Sequence, residues 1–163
     1  PDRQKSSACS LPLALPNSVN QINTPAYILD RYWNILHFNQ LLDELFGYWP
    51  DQQEPGQANL LRFIFLEPLS RKIIVNWEDR ARRSVAEFRA DIAPFMEEVE
   101  VREFIDEFIE RSDEFAQLWG HRAVEAREGG ARGFYHPQHG FVEFEQLTFR
   151  LATHLDYKLV ILS

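Results

Sequence analysis

The chain has 163 residues, the length of one domain, and 45% of them are apolar, which is enough to form a globular core. Its net charge of -8 argues against nonspecific binding to nucleic acid, because phosphate contacts need clustered lysines and arginines. The single cysteine, Cys9, excludes an internal disulfide framework and a cysteine-based zinc module. No apolar run approaches the length that spans a bilayer. Because the chain begins at Pro1 rather than at a methionine, we expect a fragment of a longer protein.

Residues 1–23 are expected to form a lead-in segment, and residues 24–163 a folded domain. Pro12 and Pro16 disfavour a long helix in the lead-in. The domain opens with apolar and aromatic residues at 26–29 and 32–38, interrupted by Asp30-Arg31. This pattern predicts two short β-strands around a tight turn.

Residues 38–119 predict a series of helices. Asn39 and Asn59 are each placed to cap a helix, and a polar loop is expected at 50–57 between those helices. One long helix is predicted over 69–92, because apolar residues recur there at steps of three and four. Those residues are Ile74, Trp77, Ala81, Val85, Phe88 and Ile92. A further helix is predicted around 101–108, and Ser112 is expected to cap the last one, at 114–119.

The rest of the chain predicts β-structure again. Strands are expected at 123–127, 134–136, 142–151 and 157–162, with a turn at Gly129, Gly130 and Gly133 and a loop at 152–156. The order of strands, helices and strands predicts an α+β fold, a five-stranded antiparallel sheet covered by several helices.

Five short blocks, in a fixed order, carry a resemblance to a known family. They are PAYILDRYWNILHFN at 25–39, NLLRFIF at 59–65, Trp77-Glu78 with Phe88-Arg89-Ala90, SDEFAQLW at 112–119, and HPQHG at 136–140. Together they resemble the ligand-binding domain of MmyB-like transcription regulators, over residues 24–163. Gln146 departs from the pattern, since it stands where that family usually has an aromatic residue.

The resemblance implies a PAS-like fold and the sensor of a bacterial, cytoplasmic regulator. It implies a helix-turn-helix of the Xre type ahead of the domain, so DNA would be contacted only through a segment that this chain lacks. It also implies a buried pocket suited to a fatty acid or acyl compound, and we expect a homodimer.

Large rings on the predicted helices are the candidate lining of such a pocket, because apolar ligand sites are walled by aromatic side chains with a few polar groups. The alternative is that these rings fill a solid core. The rings are Phe63, Phe65, Trp77, Phe88, Phe104, Phe108, Phe115 and Trp119.

Arg62 and Arg89 are the candidate anchors for an acidic group, because a guanidinium holds a carboxylate with two hydrogen bonds. The alternatives are a surface side chain for Arg62 and a surface ion pair with Asp91 for Arg89. Asn39 is a further candidate ligand contact, with helix capping as its alternative role.

No cofactor, metal or catalytic group is expected. His136 and His139 are three residues apart, which is too few ligands for zinc, and a turn histidine that bonds to backbone is the simpler interpretation. No Gly-x-Ser-x-Gly or Gly-x-Gly-x-x-Gly motif is present. The leading hypothesis is therefore a ligand sensor that does not contact membranes; the alternatives are a ligand-free dimerisation module and, last, an enzyme.

The acidity of the chain is concentrated in one segment. Residues 97–114 contain nine acidic and two basic residues, whereas residues 71–89 contain six basic and three acidic residues. These two segments are expected to pair with each other or with a second copy of the domain.

Overall fold

A five-stranded antiparallel sheet forms the base of the structure, a computed structural model that describes residues 11–121 and 130–163. The strands are β1 (Ala26–Leu29), β2 (Ile35–Phe38), β3 (Gly130–His136), β4 (Gly140–Leu151) and β5 (His154–Leu162). Their order in the sheet is β2-β1-β5-β4-β3, which brings the first and last strands side by side at the centre. The predicted α+β class is confirmed, and the architecture is consistent with a PAS-like fold.

Eight α-helices accompany the sheet within the described residues. They are α1 (Ala14–Asn20), α2 (Gln40–Leu45), α3 (Trp49–Gln52), α4 (Leu60–Leu66), α5 (Leu69–Ile73), α6 (Trp77–Ile92), α7 (Val99–Arg111) and α8 (Asp113–Gly120). All but α1 lie between β2 and β3 in the chain, and α6 runs into a short 3-10 turn at Ala93–Phe95. Across these residues, no helix is both long and apolar enough to cross a membrane.

Side-chain caps start three of the helices where the sequence predicts them. The side chains of Asn39, Asn59 and Ser112 accept hydrogen bonds from backbone N–H groups in the first turns of α2, α4 and α8. Each bond satisfies a donor that has no partner inside the helix. The three predicted starts are therefore confirmed.

The single long helix predicted over 69–92 is wrong, because the chain breaks between α5 and α6. Asn76 adopts a left-handed backbone conformation with φ of 53°. The residue before it, Val75, donates its backbone N–H to the carbonyl of Gly133 on β3, at 3.1 Å. Pairing with the sheet thus replaces helical hydrogen bonds at this point, and asparagine tolerates the left-handed turn better than most residues do.

The turn predicted at Gly129, Gly130 and Gly133 is corrected in part, since Gly130 and Gly133 belong to β3, whereas Gly129 lies outside the described residues. A Cβ on Gly133 would lie 3.2 Å from the Cβ of Val75, so this glycine permits a close approach of two backbone segments. The loop predicted at 152–156 is shorter than expected, because β5 already begins at His154. Likewise, α3 occupies the start of the polar loop predicted at 50–57. The strand predicted at 123–127 lies outside the described residues.

The two faces of the sheet are covered differently. On the outer face, α1 and its flanking residues pack against β1 and β5 through a small cluster that includes Val19 and Ile28, both fully buried. Part of the expected lead-in is therefore helical. On the inner face, the helices between β2 and β3 form the main core with the inward-pointing residues of the strands. This main core lies between the sheet and the helices, where the sequence predicts a ligand.

Candidate functional site

The rings of the helical layer form one continuous network, which we call the aromatic layer. It consists of Phe65, Trp77, Phe88, Phe104, Phe108, Phe115 and Trp119, whose neighbouring ring centroids are 5.1–6.3 Å apart. The rings come from α4, α6, α7 and α8, so the layer ties four helices together. Phe115 is the central member, because it contacts Phe65, Phe108 and Trp119.

A second group of rings lies against the sheet. Phe63 stacks on Phe46 with centroids 4.7 Å apart and packs on Trp49 at 5.0 Å. Phe46 in turn contacts Phe134 of β3 at 6.2 Å and Tyr27 of β1 at 6.4 Å. Phe63 projects from the same helix as Phe65 but belongs to this sheet-side group, because the two residues face different sides of α4.

The two arginines predicted as anchors have protein partners. The Arg62 guanidinium lies 3.9 Å from a carboxylate oxygen of Glu107 and is about one-third exposed. The Arg89 guanidinium lies 4.1 Å from the ring centroid of Trp119 and donates a hydrogen bond to that residue's carbonyl. These contacts fix α4 to α7 and α6 to α8.

Asn39 is the cap of α2 and also a connector. Its Oδ1 accepts hydrogen bonds from the backbone N–H groups of Leu42 and Ala26, and its Nδ2 donates to three carbonyls at the end of α1 and just beyond it. The side chain is 97% buried among these five groups. The helix-capping role weighed from the sequence is therefore present.

A buried charged cluster, which the sequence analysis did not identify, lies on the inner face of the sheet. It consists of Tyr27 of β1, Arg80 and Glu87 of α6, Arg132 of β3 and Gln146 of β4, each less than a tenth exposed. Arg132 donates a hydrogen bond to Gln146, interacts electrostatically with Tyr27, and lies with its guanidinium over the ring of Phe134. The Arg80 guanidinium lies 3.9 Å from a carboxylate oxygen of Glu87.

Burial shifts the pKa values of Arg80 and Arg132. Burial first, and the charge of Arg132 second, lower the pKa of Arg80 to about 10. Burial also lowers the pKa of Arg132 and raises that of Tyr27. Arg80 is therefore charged at neutral pH, and Tyr27 is a neutral phenol.

The sequence did contain a signal for this cluster. Arg132 and Phe134 are two apart in a strand, so they share the inner face when Phe134 is in the core. Arg80 and Glu87 are seven apart in α6, so they lie on one face beside the apolar stripe. Neither pattern alone distinguishes a buried arginine from a surface one, because burial depends on how the strands pair in the folded sheet.

Two clefts open at the ends of α6. The β3–α6 cleft, with a volume of about 180 Å³, is lined by residues 74–76 and 131–133, Asp79, Arg80, Phe141 and Glu143. The second cleft, of about 280 Å³, lies at the other end of α6 and is lined by Arg31, Ala90, Asp91, Pro94, Phe95, Arg150, Leu155 and Asp156. Arg80 and Arg132 belong both to the residues that line the first cleft and to the buried cluster.

His136 forms the backbone-bonded turn that its spacing indicated. Its Nδ1 accepts hydrogen bonds from the N–H groups of Gln138 and His139, at 3.0 and 3.3 Å. Within the described ranges, no group of three or more histidine, cysteine, aspartate or glutamate residues is arranged to hold a metal ion.

The structure is thus an α+β domain with a helix-covered five-stranded sheet, an aromatic layer among the helices and a buried charged cluster on the inner face of the sheet. The sequence model for the MmyB-like transcription regulator ligand binding domain matches residues 14–163. The chain therefore belongs to this family, as the resemblance implied, and is the ligand-binding domain of a transcription regulator. No curated protein sequence matches the chain.

Proposed function

We propose that this domain senses a small apolar ligand with an acidic group, a fatty acid or an acyl compound, held between the helices and the inner face of the sheet. The observation that carries the proposal is the aromatic layer, which gives this region an apolar interior next to buried cations. An apolar chain would contact the rings and an acidic head would contact a charged group, the usual combination in small-molecule sites.

Ligand binding in this region requires the helices to move, because the rings contact one another in the structure. A bound chain would replace ring–ring contacts with ring–methylene contacts and would favour a more open arrangement of α7 and α8. The ligand shifts the equilibrium only by its difference in affinity for the two arrangements. In a homodimeric cytoplasmic regulator, this shift would alter the spacing of DNA-binding segments outside this chain.

The second candidate is a dimerisation module without a ligand. The same close ring packing favours it, since a filled core needs no guest. On either proposal the domain has no enzymatic role.

Lipid analysis and titration distinguish the two candidates. Mass spectrometry of the denatured protein should detect a co-purified lipid. Titration with saturated fatty acids of increasing chain length should change the tryptophan fluorescence until it reaches a plateau. Phe115→Leu, at the centre of the aromatic layer, should change the affinity about tenfold, equivalent to ~1.4 kcal/mol. Phe149→Leu, an exposed ring on β4 that lines neither cleft, is the matched control.

A protein that carries no lipid and binds no fatty acid of any length would contradict the sensor proposal. It would leave the dimerisation module, for which light scattering across a concentration series should then detect dimers.

A further inference from the structure

We propose that a second copy of this chain docks on the outer face of the sheet, through a surface that we call the outer apolar patch. This inference rests on the homodimer of the proposed function and names its contact surface. The patch consists of Leu147 and Phe149 of β4, Leu159 and Ile161 of β5, and Leu11, Leu13 and Leu15 at the start of α1.

The register of β4 and β5 places the strand residues of the patch on one face. Phe149 pairs with Leu159 and Leu147 with Ile161, and directly opposed residues of neighbouring strands share a face. Leu159 and Ile161 pack against the cluster beneath α1, whereas Phe149 is 49% exposed and Leu147 is 39% exposed. The covered cluster therefore continues into an exposed one on β4.

The start of α1 adds exposed apolar surface to the same cluster. Leu11 and Leu15 pack partly against it, and Leu13, which lies between them in the chain, is 91% exposed. Single exposed apolar residues are normal in soluble proteins, but contiguous ones mark interaction surfaces.

Charged side chains are absent from this surface. None of the residues from 11 to 29, the stretch that holds α1 and β1, is charged, in a chain that is 26% charged. Glu143 and Glu145 lie further along the same face of β4, because side chains alternate along a strand, and they border the patch. The cores of protein interfaces are depleted in charge in the same way.

The charge of the whole chain favours a second copy as the occupant. Two copies that each carry a net charge of -8 repel each other, so they associate best through a surface that adds no like charges. A two-fold interface uses the same patch on both sides, and a charged residue near the axis would face its own counterpart. An uncharged patch avoids this repulsion, whereas a strongly charged partner would favour a surface of opposite charge.

The acidic segment 97–114 lies on the other side of the domain. Val101, Ile105 and Phe108 of α7 belong to the main core on the inner face, whereas the patch belongs to the outer face. In a dimer through the patch, both sheets lie between the two acidic helices. Their repulsion is then largely screened at physiological salt, where the Debye length is ~8 Å.

Sedimentation equilibrium of single variants tests the surface. Phe149→Glu should weaken the dimer at least about tenfold, because it places a like charge in both copies of the patch. Phe141→Glu is the matched control, since Phe141 is an exposed ring on the same face of β4 but lies beyond Glu143, outside the patch. It should leave the dimer intact, as should Phe149→Leu, which keeps the patch apolar.

A second measurement uses only the wild-type chain and so does not depend on how the variants fold. The dissociation constant of the dimer should fall as the salt concentration rises, because salt screens the net repulsion between the copies and does not weaken apolar contacts. A dimer held by the acidic segment 97–114 of one copy and the basic segment 71–89 of the other should weaken in salt instead. That result would overturn the proposal.

The outcomes separate this inference from the proposed function. A dimer that Phe149→Glu leaves intact refutes the patch, while the homodimer and ligand sensing stand. A chain that stays monomeric at every concentration assigns the patch to another occupant and refutes the second copy. In both cases the lipid analysis decides on ligand sensing independently.

Discussion

A buried aspartate at the end of α6 shows how single residues hold this domain together. Asp91 accepts hydrogen bonds from the indole N–H of Trp33 at 2.8 Å and from Arg150 of β4 at 3.0 Å, and its carboxylate lies 2.5 Å from the Lys158 ammonium on β5. Burial alone would raise the pKa of Asp91, but the Lys158 charge and these hydrogen bonds outweigh burial and hold it below its usual value. Asp91 thus connects α6 to the neighbouring strands β4 and β5 and to the turn between β1 and β2.

Asp91→Asn should destabilise the domain by about 3–5 kcal/mol at neutral pH, because Lys158 loses its buried partner. Because folding lowers the pKa of Asp91, the stabilisation by this carboxylate is fully present above its pKa in the unfolded chain, ~3.9. The stabilisation is lost as the pH falls through the pKa of Asp91 in the folded protein. Urea unfolding across a pH series should therefore show the gap between wild type and variant closing below about pH 4. A gap that stays constant in acid would contradict this role.

Trp77 is the ring for which burial makes the clearest stability prediction. Its indole N–H donates to the Ile64 carbonyl at 3.1 Å, and the Arg71 guanidinium lies 3.7 Å from its ring centroid. Trp77→Ala should cost about 3–5 kcal/mol in free energy of unfolding, measured by chemical denaturation. Trp77→Phe should cost clearly less, since Ser70 also donates to the Ile64 carbonyl. Equal losses in both variants would show that packing volume is not the main contribution.

At the scale of the elements, Asn39 joins α1, β1 and α2 through one amide group. Its Oδ1 accepts hydrogen bonds from backbone N–H groups of β1 and α2, whereas its Nδ2 donates to the carbonyls of Val19, Ile22 and Thr24. The two halves of the amide therefore hold different parts of the fold, and substitutions can separate them.

Asn39→Asp keeps the acceptor and removes the donor, while Asn39→Ala removes both. We expect Asn39→Ala to cost about 2–4 kcal/mol, because a cap and several buried hydrogen bonds are lost. Hydrogen exchange should show faster opening of α1 in both variants, and of α2 only in Asn39→Ala. Unchanged exchange in α1 in the Asp variant would disprove the connection.

The starts of α2, α4 and α8 were predictable because they depend on local chemistry, namely the caps at Asn39, Asn59 and Ser112. The break before α6 was not, because the apolar spacing continues through it and only the pairing of Val75 with Gly133 interrupts the helix. Local patterns therefore predict where these helices begin, whereas long-range backbone pairing determines that the predicted helix over 69–92 is interrupted between α5 and α6.

At the scale of the whole molecule, charge is segregated onto α7 and its flanks. The acidic segment 97–114 has partners elsewhere, including pairs of Glu107 with Arg62 and of Glu114 with Arg71. The predicted pairing of acidic and basic segments is thus present within one copy at Arg71. Much of the exposed face of α7 remains acidic.

This acidic face should make stability depend on salt. The triple variant Glu103→Gln, Asp106→Asn and Glu110→Gln should raise the thermal midpoint at low ionic strength. Each like-charge i,i+4 repulsion that it removes costs ~0.2–0.5 kcal/mol of stability in the wild type. The gain should shrink in high salt, because screening already weakens the repulsion in the wild type. Glu54→Gln, an exposed acid outside the segment, is the control; a similar gain there would indicate a general net-charge effect.

The candidate site was only partly accessible from the sequence. Helical spacing placed Phe88 and Phe115 in the interior, and both are fully buried. Arg80 and Arg132 were missed, because their proximity depends on β3 lying against α6 across about fifty residues of chain. The family resemblance predicts that the domain binds a ligand, and the pairing of the strands brings the buried charged cluster together.

The order of the strands also has a consequence for folding during synthesis. β1 pairs with β5, so Ala26 meets Ile161 across almost the whole described length of the chain. The ribosome must therefore release nearly all of the domain before the centre of its sheet can close, and contacts of such large sequence separation slow folding. Until then the apolar edge of β1, with Tyr27 and Ile28, has no partner strand on that side, and a nascent chain stalled before β5 should depend on chaperones.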